Sequence, residues 1–146
     1  MATREQIENL LERLNEAPPS AHFKHLDQNT VGIQAILKYL CETDERVTAG
    51  KISGHMKVST ARVAVLLKKM AAKGLIEKDQ DPSDGRIVVV KLTEQGRQTA
   101  EAFRENIYRT TGEMIDRVGM DRMLEFAAIS KEIHSIMSKT DMNPQS

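Results

Sequence analysis

Residues 48–92 read TAGKISGHMKVSTARVAVLLKKMAAKGLIEKDQDPSDGRIVVVKL. Thr48 is a natural N-cap, and the residues after it predict a helix to about His55 with Ile52 and Met56 facing inward. After a short turn, Ser59 opens a second helix that runs to Lys73. Its apolar residues Val63, Leu66, Leu67 and Met70 recur at i, i+3, i+4 and i+7. Gly74 stands where a helix wants a left-handed terminator. Leu75 to Lys78 forms a short strand, the cluster Asp81-Pro82-Ser83-Asp84-Gly85 suits a tight turn, and Ile87 to Leu92 returns as a β-branched strand. Helix, turn, helix and hairpin in this order make a helix-turn-helix followed by a wing. The usual use of that shape is to lay one helix in the major groove of DNA.

Charge supports the same reading. The chain has 146 residues and a formal net charge of zero, which at first argues against nucleic acid. Residues 48–92 nevertheless hold nine cations and four anions, a net +5, so the flanks together carry −5. A basic middle between acidic ends is the footprint of a DNA-reading module on a neutral scaffold; solvated helix faces would produce the same clustering by chance.

A recognition helix presents short or basic side chains at its N-terminal end. Ser59, Thr60, Ala61 and Arg62 fit, and Ser59 leaves the positive helix end pointed at the duplex. Arg62 is the candidate for bidentate contact with guanine, and Val65 for contact with a thymine methyl. Lys68, Lys69 and Lys73 suit phosphate contacts, as do Thr48 and Lys57. In the wing, Arg86 suits the narrow minor groove, with Asp84 orienting it. The bland alternative is a capped helix with a wet cationic face and a hairpin with a surface ion pair.

Outward from this core, Thr3 and Gln6 have capping-box spacing, and Ile7, Leu10, Leu11 and Leu14 form one apolar stripe that Pro18-Pro19 ends. Residues 20–28, with His22, Phe23 and His25, are a loop or short helix. Thr30 to about Glu42 is a helix made apolar over most of its circumference by Val31, Ile33, Ala35, Ile36, Leu37, Tyr39 and Leu40, and is expected to be buried. Thr43 to Arg46 is a turn. Thr93 caps a long helix carrying Ala100, Phe103, Ile107, Met114 and Val118, Gly119 breaks it, and a last helix runs from about Asp121 to Lys139. The tail after Thr140 is expected to fray.

Residues 31–96 resemble the MarR family of bacterial winged-helix regulators. The resemblance lies in VGIQAILKYL, in TAGKISGHMKVSTARVAVLLKKMAAKGLIEK, and above all in DPSDGRIVVVKLTEQG. The last holds an Asp-x-Arg wing tip (Asp84, Gly85, Arg86) and a strand ending in Leu-Thr-x-x-Gly at Leu92, Thr93 and Gly96. The resemblance implies a fold that is mainly α with a small β-wing: a winged helix-turn-helix flanked by N- and C-terminal dimerisation helices. The division is 1–28 for the N-terminal helix and loop, 29–92 for the DNA-binding lobe, and 93–146 for the C-terminal helices, in a single compact domain overall. It implies a homodimer on double-stranded DNA, with Ile7, Leu10, Leu11, Leu14, Met123, Leu124, Ile133, Ile136 and Met137 at the dimer contact. It also implies transcriptional control, most often repression at pseudo-palindromic operators, often relieved by a small ligand or an oxidant. Three departures stand out. Gly85 replaces the family's frequent arginine or polar residue, Val65 stands where an arginine or polar residue is common, and Lys57 stands where Gly or Asn is frequent. The lysine suggests either a less strained turn or a contact to phosphate. Gly85 and Val65 also fit the alternative of a winged-helix interaction module that has lost sequence-specific DNA binding.

Other chemistry finds little support. No phosphate-cradling Gly-rich loop, G-x-S-x-G or H-E-x-x-H is present, so an enzyme is not expected and no cofactor is implied. His22 and His25, with Cys41, Glu42 or His134, have the makings of a metal site, since some family members sense zinc; surface histidines are the commoner outcome. Cys41, the sole cysteine, allows no intrachain disulfide and fits a reducing cytoplasm. At the end of the most apolar helix it is expected to be buried and unreactive, although some relatives sense peroxide through cysteine. No apolar run approaches a membrane span and no signal peptide is expected. Met114, Met120, Met123 and Met137 suit a dimer core, or the walls of a ligand crevice.

Overall fold

The computed structural model describes residues 1–16 and 28–139. Their order is α1 (Arg4–Glu16), α2 (Gln28–Glu42), β1 (Val47–Thr48), α3 (Ala49–Met56), α4 (Thr60–Ala72), β2 (Ile76–Gln80), β3 (Val88–Leu92), α5 (Glu94–Val118) and α6 (Met120–Lys139). Two compact units emerge: a winged lobe of residues 28–104, and a terminal unit of residues 1–16 and 105–139. The helix α5 runs through both. The expected boundary at 92 falls before the lobe's last helical turns.

In the lobe, α4 supplies the core. Val63, Leu66, Leu67 and Met70 are all at most 2% exposed, one stripe of a 3.6-residue helix. Ile33, Ile36, Leu37 and Leu40 of α2 and Ile52 of α3 meet them. Gly32 lets α2 come close, because a Cβ there would sit 2.8 Å from Leu66 Cδ1. Burial of α2 is one-sided rather than all round: Val31 and Ala35 lie exposed, because only the face bearing Ile33, Ile36, Leu37 and Leu40 meets the lobe core. Cys41 is likewise exposed, not buried. It follows Leu40 by about 100° of helix, past the edge of the buried face.

The hairpin is part of a three-stranded antiparallel sheet in the order β1-β3-β2. Val47 pairs with Val90, and Ile76 pairs with Leu92. The strand β1 has only two residues, too short for period-two alternation to reveal, and the segment before it reads simply as a turn. The α4 terminus is a Schellman closure, with Gly74 N–H donating to Ala71 O at 3.0 Å and Leu75 N–H to Met70 O at 3.0 Å. Gly74 has φ +74°.

The Leu-Thr-x-x-Gly sequence joins wing to α5 for physical reasons. Thr93 Oγ1 donates to Gly74 O at 2.6 Å and accepts from Gly96 N at 3.0 Å, capping α5 while tying it to the end of α4. A Cβ at Gly96 would lie 2.0 Å from Leu75 O, so only glycine fits.

The terminal unit packs α1 on α6, with Leu10, Ile115, Met123 and Ala127 as its buried cluster and Ile7, Leu14 and Leu124 against it. The Thr3–Gln6 capping box forms reciprocally, with N–H donors at 2.9 and 3.2 Å from side-chain oxygens. Gly119 turns α5 into α6 at φ +98°. Phe126, Ile129, Ile133, Ile136 and Met137 leave an exposed apolar stripe along α6, and Ile107, Met114 and Val118 of α5 are exposed as well. Pro18-Pro19, His22, His25 and the tail after Thr140 lie outside the described residues. No helix among the described residues is long and apolar enough to cross a membrane.

Candidate nucleic-acid interface

The two helices of the motif are capped as their sequence requires. Thr48 Oγ1 accepts from Lys51 N at 3.2 Å, which occupies Thr48 as the cap of α3. Ser59 Oγ accepts from Arg62 N at 3.1 Å with extended backbone, φ −65° and ψ 153°. Between them the chain reverses at Lys57, whose φ is 56° and ψ 42°. The turn is therefore not relaxed by the lysine: the left-handed conformation that favours Gly or Asn is kept, and Lys57 bears its cost. Ser53 closes the turn, its Oγ donating to Val58 O at 2.6 Å.

Opposite the buried stripe of α4, Thr60, Ala61, Val65, Lys68 and Lys69 are exposed, with Val65 47% accessible. Ala61, Val65 and Lys68 recur at i, i+4 and i+7, so one outward face carries them. Lys73 does not join this face at its start. It is the C-cap of α4, roughly 20 Å along the helix from Ser59. It lines a groove of about 390 Å³ with Thr30, Ile33, Leu75, Gln95, Thr99 and Phe103. Arg62 is half-buried, and its Nη1 donates to Asn29 Oδ1 of α2 at 2.7 Å.

The wing tip is organised by two carboxylates. Asp81 is 8% exposed and accepts from Ser83 Oγ at 2.5 Å, Ser83 N at 2.7 Å, Asp84 N at 3.2 Å and the Arg46 guanidinium. The Ser83 hydroxyl first, then its backbone N–H, then Arg46, hold the Asp81 carboxyl well below the usual carboxylate range. Asp84 accepts from Arg86 N at 3.0 Å and Nε at 3.2 Å, which lowers its own carboxyl pKa. The Arg86 side chain is 92% exposed, and its guanidinium turns back onto the Asp84 carboxylate, Nε donating to Oδ1 at 3.2 Å and Nη2 to Oδ2 at 3.4 Å, which restricts its direction. At Gly85 a Cβ would meet nothing closer than Gln80 Oε1 at 3.9 Å; no steric reason forces glycine there.

Arg46 and Asn29 had no signal in the sequence. They meet Asp81 and Arg62 across 35 and 33 residues, separations at which local pattern carries no information. Among the described residues no group of three or more potential metal ligands converges.

Fold and site together define a winged helix with a capped, basic, outward-facing second helix. The sequence model of the MarR family matches residues 36–88, from the middle of α2 to the start of β3. Of curated proteins, the uncharacterized HTH-type transcriptional regulator YdgJ of Bacillus subtilis is 29% identical over 86 residues, covering 59% of this chain and 52% of that protein. The chain thus spans about half the length of the curated relative it matches. Among solved structures, a mutant of Lactococcus lactis ZitR is similar at a TM-score of 0.53 and 26% identity, over 95% of this chain and 98% of that one. S. aureus MepR, crystallised with DNA, shares the fold at a TM-score of 0.53 and 20% identity, over 84% and 89%. Residues 36–88 are thus similar to the MarR family, and the curated relative is an HTH-type transcriptional regulator.

Proposed function

We propose that this chain is a homodimeric, sequence-specific DNA-binding regulator of transcription, acting in the cytoplasm as a repressor at pseudo-palindromic operators. The observation that supports this most is the exposed face of α4. Its N-terminus is capped by Ser59, its backbone opens at Thr60 and Ala61, and Val65, Lys68 and Lys69 follow on the outward side. Arg62 reads bases, Lys57, Lys68 and Lys69 hold phosphates, and Arg86, steadied by Asp84, enters the minor groove. Lys73 contributes through the general positive field. The exposed stripe on α6 is the surface for the second copy, with Ile133, Ile136 and Met137 as contacts. A small effector of amphipathic, anionic character suits the groove where Lys73 stands beside Phe103 and Ile33.

Selection from a random duplex library at two salt concentrations, read by sequencing and fluorescence anisotropy, tests this. Enrichment of an inverted repeat with half-sites about one helical turn apart is the expected result. A chain that dimerises and ignores all duplex DNA at low salt would replace it with the partner-docking reading, for which exposed Val65 and unencumbered Gly85 are the supporting features.

A further inference from the structure

We propose that Asn29 is a positioning residue for Arg62, and that the pair, rather than the arginine alone, sets which base is read. This rests on the reading of α4 as recognition helix. Asn29 is the second residue of α2, and its Oδ1 accepts from Arg62 Nη1 at 2.7 Å. The guanidinium is a planar fork of five N–H donors, and tying one terminal nitrogen restricts the orientation of the whole group. The edge left over carries Nε–H and Nη2–H, the two parallel donors that guanine O6 and N7 require. The backbone from which the side chain springs is itself held, because the Arg62 N–H donates to the Ser59 cap. A long cationic side chain tied at its guanidinium has already given up rotamer freedom that a free arginine would lose on meeting DNA. Lys68 and Lys69, on the exposed face, have no such clamp among the described residues. Asn29 therefore governs specificity while those lysines govern affinity.

The test uses the full chain in anisotropy against three duplexes: the selected operator, the operator with its candidate guanine replaced, and a random sequence. Asn29→Ala is expected to weaken operator binding roughly three- to tenfold and random-duplex binding by less, in a chain that stays folded with a slightly lower thermal midpoint from the lost hydrogen bond. It should add nothing in an Arg62→Ala background, because the residue it positions is gone. Asn29→Asp keeps the acceptor and should preserve the ratio between operator and replaced operator. Equal weakening on all duplexes, additivity with Arg62→Ala, or tighter operator binding would each overturn the proposal, the last by showing that Asn29 parks the arginine away from DNA. If Arg62→Ala alone leaves the ratio unchanged, the recognition-helix reading falls and this proposal with it. If Arg62→Ala abolishes the ratio and Asn29→Ala does not, only the role of Asn29 falls.

Discussion

At Asp81, one buried carboxylate holds the wing together. It accepts from Ser83 twice, from the Asp84 N–H and from Arg46, so it fastens the hairpin tip to the residue just before β1. Its folded-state pKa is depressed, so its stabilising contribution is present above the unfolded value of about 4 and is lost as pH falls through the folded one. Thermal unfolding followed from pH 5 to pH 3 should therefore show a steeper loss for the native chain than for Asp81→Asn. The variant should already melt lower at pH 7. Parallel curves for the two chains would remove Asp81 from the account. Gly96 makes a second prediction of this scale. With Leu75 O standing 2.0 Å from any Cβ, Gly96→Ala should cost at least about 2 kcal/mol, read as a lower denaturant midpoint at unchanged m. The sequence marks both residues, one inside a turn cluster and one in a Leu-Thr-x-x-Gly motif, and for neither does it give the reason. A close approach to a carbonyl and a contact 35 residues away are facts of tertiary geometry.

The turn between α3 and α4 shows what an element adds. Its two caps follow from residue type, since Thr48 and Ser59 each satisfy an orphan N–H, and Ser59→Ala should cost about 1 kcal/mol. Lys57 behaves differently, because a non-glycine at φ 56° is strained. Lys57→Gly should stabilise the fold by about 0.5 kcal/mol, the relief of left-handed strain less the entropy glycine adds to the unfolded chain. If Lys57 also holds a phosphate in each half of a dimer, the same change lowers affinity for every duplex and flattens the salt slope by roughly 2. A stabler protein with an unchanged slope would leave Lys57 as a turn residue only. Elements of this length are legible because their periodicity repeats: four buried positions on α4 and the wing strands are found from pattern alone. The two-residue β1 offers no period, and one exposed side of α2 is hidden by Val31 and Ala35, apolar residues that fold outside the core.

For the whole molecule, the proposed assembly rests on apolar residues that lie outside the buried cores of the winged lobe and the α1–α6 cluster. Leu10 and Met123 are consumed inside the chain, being buried in the terminal unit's own cluster. Ile133, Ile136 and Met137 are instead 42, 60 and 52% exposed, in line along α6 with Phe126 and Ile129. Five large apolar side chains on one face form a patch that a monomer keeps wet at a cost of roughly 1.5–3 kcal/mol for each one fully buried by a partner. In the homodimer proposed above, a second copy covers this stripe, the same patch meeting itself across a two-fold axis. Replacing Ile133 and Ile136 together by Asp places like charges across that axis. Sedimentation equilibrium should then report a monomer where the native chain reports twice the mass. Circular dichroism should still show a folded lobe, since its core of α2, α3, α4 and the sheet uses none of these residues. Affinity for an inverted repeat should drop at least about a hundredfold while affinity for a single half-site holds, because two linked recognition helices multiply their binding and one alone does not. A dimer that survives both aspartates would place the contact elsewhere, with the exposed Ile107, Met114 and Val118 of α5 as the next surface to charge.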